Sequence, residues 1–352
     1  MKKKIEQKKK TVSWKRVLLT VLCVILALVL TILLAVTVLL ERYFGLINNE
    51  NINQDRVYFT EDEYQDDNQL DYNGPGMDED DVNWGEDADP IAQSDNVINI
   101  LLIGQDRREG EGRARSDAMI LCTINKTEKT ITMSSFMRDM YVQIPGYRDN
   151  RINASYAFGG MELLDATLQK NFGVEVDGNI EVDFSGFQKV IDTLGGVDIE
   201  LTAAEARYLN RRGNWDLEKN AGTWNLKEGV NHLNGSQALA YSRIRNVGNG
   251  DFGRTNRQRT VLNALLQQAK KCSIPQLHAF LEELLPLLTT DLSDSQIMGY
   301  AVAVFPLLGE LEFRTQQIPA EGTYKMTMIR EMSVLLPNLD KNRQILAEII
   351  SE

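Results

Sequence analysis

The sequence predicts an α/β protein: a three-layer α/β/α sandwich with a mixed central sheet, preceded by one transmembrane helix. Three observations predict this architecture. Short apolar segments, partly β-branched and bounded by glycine or asparagine, recur along the chain, and segments with apolar residues at helical spacing lie between and after them. One long uncharged stretch lies near the N-terminus. We therefore expect helices to cover both faces of one sheet.

The uncharged stretch covers residues 17–40, which are 24 consecutive positions rich in leucine and valine. At about 1.5 Å per residue it is about 36 Å long, enough to span a bilayer core. Residues 1–16 carry eight basic side chains against one acid, and such a flank stays in the cytoplasm. A cleaved signal peptide is the alternative, but its apolar core would be shorter and would end in a small-residue site. We expect an uncleaved anchor with the rest of the chain outside.

Charge is distributed unevenly along the chain. The net charge of −12 divides into +7 for residues 1–16, −15 for residues 41–95 and −4 for residues 96–352. The acidic, weakly apolar segment 41–95 is typical of a disordered tether. A calcium-binding loop is the sharper alternative, but the EF-hand spacing and its glycine are missing. The near-neutral outer domain argues against a nucleic-acid partner.

Cysteine and histidine chemistry has little support. The chain has three cysteines, at positions 23, 122 and 272, and two histidines, at 232 and 278. The spacing does not support a disulfide between Cys122 and Cys272, although an oxidising compartment would permit one. With only two histidines in the chain, a histidine-based zinc site is nearly excluded.

Six short segments predict the strands: residues 96–103, 118–124, 129–134, 179–182, 197–201 and 313–318. Residues 129–134 alternate polar and apolar side chains, so we expect a half-exposed strand paired with the strand before it. We place the domain at residues 96–320 and a C-terminal helical tail at residues 321–352.

Five segments predict helices: residues 161–171, 184–194, 254–271, 277–288 and 296–308. Gly195 and Gly196 end the second, as glycine commonly does. The last two carry apolar residues over more than one face. These residues either fill the core or line a site for a long apolar ligand.

Charged residues gather in three islands, which together look suited to a pyrophosphate with a divalent metal. Arginine offers a planar fork of donors that matches phosphate oxygens and stays charged. Carboxylates among arginines either neutralise them or hold a hard cation such as Mg2+. The island residues are Asp106, Arg115 and Asp117, then Arg138, and then Arg243, Arg245, Asp251, Arg254 and Gln258.

Spacing predicts how some of these residues meet. Asp106 follows one strand and Asp117 opens the next, so the two carboxylates can approach and bind Mg2+. The alternative is that they cap a helix or pair with Arg107 and Arg115. Arg243 and Arg245 share a face only if the chain becomes extended around Tyr241. Arg254 and Gln258 are neighbours on one helical face. Asp251, just before that helix, is expected to orient arginines rather than act as a base.

These residues carry a resemblance to a known family. Over roughly residues 97–265 the chain resembles the LytR-CpsA-Psr family, on the ordered motifs Gly104-Gln-Asp106, Arg115-Ser-Asp117, Ser135-Phe-Met-Arg-Asp139, Arg151-Ile-Asn-Ala-Ser-Tyr156, Tyr241-Ser-Arg-Ile-Arg245, Asp251-Phe-Gly-Arg254 and Arg257-Gln258. Phe136-Met137 replaces a common proline next to the arginine, and Phe252 replaces a common tyrosine. Neither departure removes a charged group of the motifs.

The resemblance implies a magnesium-dependent phosphotransferase of Gram-positive and related cell envelopes. Such an enzyme takes a glycopolymer, for example teichoic acid or capsule, from polyprenyl pyrophosphate and joins it to peptidoglycan as a phosphodiester. The lipid would lie in an apolar tunnel within the domain. Asp106 and Asp117 would hold Mg2+, and with Arg138, Arg243 and Arg245 they would carry catalysis. The pyrophosphate would contact, beside the orienting Asp251, the side chains of Arg115, Arg138, Arg243, Arg245, Arg254 and Gln258.

The chemistry follows from charge, because a pyrophosphate that is being broken accumulates negative charge on the departing phosphate. A sugar hydroxyl would attack the phosphorus nearest the glycan, and our hypothesis is that Asp106 or Asp117 helps to deprotonate it. Two alternatives stay open: a sensor that binds polyprenyl-linked precursors without turnover, and a hydrolase in which water replaces the sugar.

Overall fold

The computed structural model describes residues 39–49, 58–61, 70, 72, 74–105, 116–211, 224–307 and 309–351. The described residues fall into two units, with the boundary between Leu46 and Ile47. In the first unit, residues 39–44 are helical. No helix within the described part is long and apolar enough to cross a membrane. The predicted cytoplasmic stub and residues 17–38 of the predicted span lie outside the described residues.

The strands, numbered along the chain, are β1 (Asn48–Asn49), β2 (Val97–Gln105), β3 (Ser116–Asn125), β4 (Thr130–Phe136), β5 (Tyr141–Val142), β6 (Asn150–Arg151), β7 (Gly178–Asp183), β8 (Val197–Leu201), β9 (Gly229–Leu233), β10 (Leu288–Thr290), β11 (Glu312–Ile318), β12 (Tyr324–Ile329) and β13 (Met332–Pro337). The helices are α1 (Ile152–Phe172), α2 (Phe184–Thr193), α3 (Ala203–Leu209), α4 (Gly235–Ser242), α5 (Gly250–Ala269), α6 (Ile274–Leu284), α7 (Asp294–Val304) and α8 (Leu339–Ser351).

A large mixed sheet forms the centre of the second unit. Among the described strands its order is β1-β10-β7-β2-β3-β4-β11. β2, β3 and β4 form an antiparallel meander, and β7 and β11 add in parallel on either side of it. The register pairs Gln105 with Ser116 at the end of β2. The predicted mixed α/β fold is therefore confirmed.

Helices cover both faces of this sheet. On one face, Leu101 and Leu121 pack with Leu164 and Leu168 of α1 and with Leu346 of α8. On the other face, α5 and α7 contribute Leu262 and Val304 beside Ile120, Ile131 and Met133 of the sheet. Burial on both faces explains why these strands read as nearly continuous apolar runs in the sequence.

Two predicted elements differ from the structure. β4 is buried at all seven positions rather than half-exposed, because β3 and β11 flank it and packed side chains lie on both of its faces. α1 begins at Ile152 rather than 161, and it continues through a kink at Gly159 and Gly160. Gly160 has a φ of 64°, which only glycine adopts readily.

The disordered tether predicted for residues 41–95 is wrong for its second half. Trp84 stacks on Tyr141 at 5.8 Å between ring centroids and donates to Asp149 at 2.8 Å. Ile91 packs on the main core, the apolar cluster formed by the central sheet, α1 and α8. Glu79 lies 2.6 Å from Arg148 and 3.1 Å from Arg330. Apolar side chains and neutralised acids therefore hold residues 74–95 against the domain.

The predicted C-terminal helical tail is also wrong in its extent. β12 and β13 form a hairpin whose turn residues, Arg330 and Glu331, have φ values of 47° and 62°. Two-residue turns of this hand usually carry asparagine and glycine, so residues 330 and 331 do not predict a hairpin. α8 follows and buries Leu346 and Ile350 in the main core. These elements are part of the domain.

Candidate functional site

Asp117 lies where three elements meet. It is the second residue of β3, Arg138 follows β4, and Arg254 lies in the second turn of α5. Arg138 Nη1 donates to Asp117 Oδ1 at 2.8 Å, and Arg254 Nη1 is 3.9 Å from Asp117 Oδ2. Two arginines from separate islands therefore converge on one carboxylate.

Asp251 extends this cluster toward the third island. Its Oδ1 lies 2.9 Å from Arg254 Nη2 and 3.4 Å from Arg245 Nε. Asp251 was expected to precede its helix, but α5 begins at Gly250, so Asp251 lies in the first helical turn. There it is the acid of that turn, a favourable position for a negative charge. The carboxylate pairs with both arginines and holds Arg254 beside Asp117.

Two buried residues complete the cluster, and neither is among the predicted site residues. Asp139 is fully buried, with Arg138 Nε at 3.4 Å and Arg151 Nη1 at 3.3 Å. Arg151 is 1% exposed. Both residues stand in motifs that carried the family resemblance, which was the available signal. Among the described residues, four arginines and three aspartates give the cluster a net positive charge, which favours an anionic ligand.

Burial and the opposite charges of neighbouring side chains shift the pKa values of these groups in opposite directions. Burial would raise the pKa of Asp117, but Arg254, Arg138 and Arg245 together hold it below its usual value. Burial raises the pKa of Asp139 to about 6, although Arg138 and Arg151 act in the opposite direction. Burial also lowers the pKa of Arg254, which Asp117 and Asp251 partly offset. Asp117 is thus a stable anion, whereas Asp139 takes up a proton in mild acid.

The remaining predicted residues fall into two groups. Asp106 and Arg115 lie outside the described residues. Gln258 is half-buried on α5, one turn after Arg254. Arg243 is exposed and is the capping residue that follows Ser242, the last residue of α4.

The chain does not become extended at Tyr241, because α4 continues to Ser242. It leaves the helix at Arg243 instead. Ile244 is fully buried, while Arg243 is exposed and Arg245 is half-exposed. Arg243 keeps a helical backbone, with φ −101° and ψ −3°, so the extended segment that would place Arg243 and Arg245 on one face is not formed at Arg243.

A second ion pair supports the loop that carries Arg245. Arg257 donates to Glu205 Oε1 at 2.7 Å, to the carbonyl of Ile244 at 3.0 Å and to the carbonyl of Val247 at 2.7 Å. Glu205 is the fourth residue of a capping box that begins at Thr202. Arg257 therefore fixes the loop rather than facing a ligand.

Asp117 is the described member of the predicted Mg2+ site. Its carboxylate is ionised and 14% exposed, and its oxygens already face Arg138 and Arg254. Within the described residues, no three histidine, cysteine or acidic side chains come together as a metal site. Mg2+ often takes one or two carboxylates together with substrate phosphates. The Mg2+ ion therefore stays a prediction, which would require phosphate oxygens to complete its coordination at Asp117.

Apolar side chains between the sheet and helices α5 and α7 are incompletely buried. α7 has no fully buried residue. We call this set the apolar layer; its partly buried members include Leu102, Cys122, Ile124, Ile180, Leu262, Ile297, Tyr300 and Val304. Cys122 and Cys272 are both free thiols. A packed core would bury most side chains of the apolar layer completely.

Comparison with known proteins decides the family. The model of the LytR_cpsA_psr family matches residues 57–348. The chain belongs to the LytR-CpsA-Psr family. The match begins inside the predicted tether and ends within α8, so the pattern of the LytR-CpsA-Psr family extends beyond residues 96–320 at both ends.

Relatives within the LytR-CpsA-Psr family carry two kinds of name. Regulatory protein MsrR of Staphylococcus aureus (strain COL) is 32% identical over 265 residues, which are 74% of this chain and 76% of MsrR. Polyisoprenyl-teichoic acid–peptidoglycan teichoic acid transferase TagU of Bacillus mycoides (strain KBAB4) is 37% identical over 191 residues, which are 54% of this chain and 58% of TagU.

A solved structure of the LytR-CpsA-Psr family has the same fold. The LytR-CPS2A-psr family protein YwtF (TagT), with bound octaprenyl pyrophosphate lipid, matches with a TM-score of 0.56 and 25% identity. The match covers 73% of this chain and 92% of that chain. A protein of this family and fold therefore binds a polyprenyl pyrophosphate.

Proposed function

We propose that this chain is a membrane-anchored phosphotransferase outside the cell membrane, which moves a glycopolymer from a polyprenyl-pyrophosphate carrier to peptidoglycan as a phosphodiester. One observation carries the proposal. α5 contributes Arg254 to the ion cluster and, eight residues on, Leu262 to the apolar layer. At about 1.5 Å per residue the two are about 12 Å apart along the helix. A polyprenyl pyrophosphate has a charged head beside an apolar tail, the same arrangement.

The arginines supply the main catalytic effect. Arg138, Arg245 and Arg254 are held by carboxylates before any ligand binds, so they need little reorganisation as charge develops on the departing phosphate. The acceptor hydroxyl attacks the phosphorus nearest the glycan. A new P–O bond forms, the P–O bond to the carrier breaks, and polyprenyl phosphate leaves.

The proton of the acceptor hydroxyl needs a base. His232 and His278 pair with Asp198 and Glu282, and none of these four residues belongs to the ion cluster. Arginines hold the pKa of Asp117 below its usual value, which weakens it as a base. We therefore assign the proton to Asp106 and the orientation of Arg138 and Arg254 to Asp117. A Mg2+ ion held by Asp106 and Asp117 would neutralise charge on the pyrophosphate.

The apolar layer would receive the polyprenyl tail. Its side chains are apolar on both the sheet and the helices and remain partly accessible, as a lipid site requires. The name of TagU and the lipid bound to TagT support this assignment.

The test uses the full chain in lipid nanodiscs with a short polyprenyl-pyrophosphate oligosaccharide and a peptidoglycan oligomer. Products with Mg2+ and with EDTA are analysed by mass spectrometry. A phosphodiester adduct that needs Mg2+ and is lost in Asp117→Asn supports the transferase. Free glycan phosphate without adduct would instead indicate a hydrolase, and binding of an intact donor would indicate a sensor.

A further inference from the structure

A cleft of about 440 Å3 lies between the segment that carries Trp84 and the C-terminal elements. Residues 83–85 form one wall. The start of β12, the end of β13 and the first residues of α8 form the others. Its volume is within the range of about 300–1,000 Å3 that small-molecule sites occupy. Side chains that line it include those of Asn83, Trp84, Tyr324, Lys325, Asn338 and Asp340.

The aromatic walls of the cleft are held in place from behind. Trp84 stacks on the fully buried Tyr141, and its indole N–H donates to Asp149 at 2.8 Å. Tyr324 stacks on Phe252 with ring centroids 5.3 Å apart and ring planes 24° apart. Two rings anchored in this way offer a preformed apolar surface, which loses little entropy when a ligand binds.

The rim of the cleft is polar and nearly neutral. Lys325 and Asp340 contribute one charge of each sign, and Asn83 and Asn338 contribute amides. All four side chains belong to exposed residues. The cleft therefore has no excess positive charge to attract a phosphate, in contrast to the arginine cluster. Apolar rings with neutral donors and acceptors around them match a pyranose, which has apolar C–H faces and hydroxyls at its edge.

The cleft adjoins the ion cluster through one aromatic pair. Phe252, which stacks on Tyr324, directly follows Asp251 in α5. Asp251 in turn holds Arg245 and Arg254. Phe252 and Asp251 thus link Tyr324 of the cleft to two of the arginines proposed to bind the pyrophosphate.

We propose that this cleft binds a sugar of the acceptor glycan and presents its hydroxyl to the ion cluster. The proposal deepens the proposed function and rests on it for the identity of the acceptor. It also gives residues 83–85, in the segment that the sequence predicts to be disordered, a direct part in recognition.

The experiment measures saccharide binding apart from transfer. The full chain in lipid nanodiscs is titrated calorimetrically with a soluble peptidoglycan tetrasaccharide of alternating N-acetylated sugars. Trp84→Leu should weaken binding at least about tenfold, as loss of an aromatic contact at the centre of a site often does. Lys325→Ala, an exposed substitution without a packing role, should weaken it several-fold. Lys341→Ala is the matched control, because Lys341 is exposed nearby on α8 and does not line the cleft.

Equal affinity in the wild type and both cleft variants, or no binding by the wild type, would overturn the proposal. In the transfer assay the cleft variants should raise KM for the acceptor and leave KM for the lipid donor unchanged. If the chain transfers no glycan but the cleft variants still weaken saccharide binding, the proposed function fails while the saccharide site stands.

Discussion

Arg243 differs from the other arginines of the site in its burial. Arg138 is 2% exposed and ion-paired to Asp117, so its removal would disturb both catalysis and folding. Arg243 is exposed, and exposed positions usually change the free energy of unfolding by less than about 0.5 kcal/mol. Arg243 is therefore the position at which a catalytic role can be separated from a structural one.

We expect Arg243→Ala to lower the transfer rate by about 10²-fold, as loss of one transition-state donor often does. Its thermal unfolding should match that of the wild type. Arg211→Ala, another exposed arginine, should change neither quantity. A transfer rate for Arg243→Ala close to that of the wild type would remove Arg243 from the catalytic set.

Asp139 is expected to make stability depend on pH. Its pKa is raised to about 6 from a usual 3.8, so the folded protein binds more protons than the unfolded chain between these values. The free energy of unfolding should therefore fall as pH rises through this window.

The Asp139→Asn variant has no titratable group at this position. Its free energy of unfolding should therefore fall less steeply than that of the wild type as pH rises through this window. The measurement is urea unfolding at several pH values between 4 and 7. Asp340→Asn, at an exposed position, should keep the slope of the wild type. Identical slopes for wild type and Asp139→Asn would show that the pKa of Asp139 is not raised.

At the scale of elements, the loop between α4 and α5 depends on one side chain. Arg257 joins Glu205 of α3 to the carbonyls of Ile244 and Val247. Hydrogen bonds from Thr202 and Arg257 outweigh burial and hold the pKa of Glu205 below its usual value. Since Arg245 lies between the two held carbonyls, we assign Arg257 as a positioning residue.

We expect Arg257→Met to lower kcat/KM for transfer and to destabilise the protein by about 3–5 kcal/mol, because Glu205 is left without its cationic partner. Adding Glu205→Gln should restore part of the stability but not the activity, since the loop carbonyls still lack donors. If the double variant recovered transfer as well, Arg257 would act through fold stability alone.

Across the whole molecule, the sequence predicts elements better than it predicts their partners. The strands of the meander and helices α2 and α5 have clear local periodicity, and each appears within a few residues of its predicted bounds. β1 pairs with β10 from more than two hundred residues away, and no local pattern encodes such a contact. The β12–β13 hairpin was not predicted, because Arg330 and Glu331 occupy a turn that usually requires glycine.

The same distinction between local pattern and tertiary contact applies to the residues of the site. Asp117, Arg138, Asp251 and Arg254 lie in contact with one another, and the roles that the sequence assigns to them stay predictions. Asp139 and Arg151 could not be assigned from sequence, because their importance lies in complete burial. Burial depends on tertiary packing, and charged residues are seldom fully buried unless they are paired.

The C-terminal elements provide a test of how far the domain extends. If residues 321–352 were a peripheral tail, a chain that ends at residue 337 would fold normally. In the structure, α8 buries Leu339, Leu346 and Ile350, and each such side chain contributes about 1.5–3 kcal/mol on burial. Their joint loss is comparable to the whole stability of a typical domain, about 5–15 kcal/mol. The truncated chain should therefore lack a cooperative unfolding transition in calorimetry.

Point variants give this prediction a finer measure. Leu346→Ala should cost about 2–5 kcal/mol, as truncation of a buried leucine does, and Glu348→Ala, exposed on the same helix, should cost almost nothing. A cooperative transition in the chain that ends at residue 337, at the temperature of the full chain, would show that α8 is dispensable. Because the family match also continues into α8, to residue 348, we expect the helix to be required for the fold that positions Asp117 and its arginines.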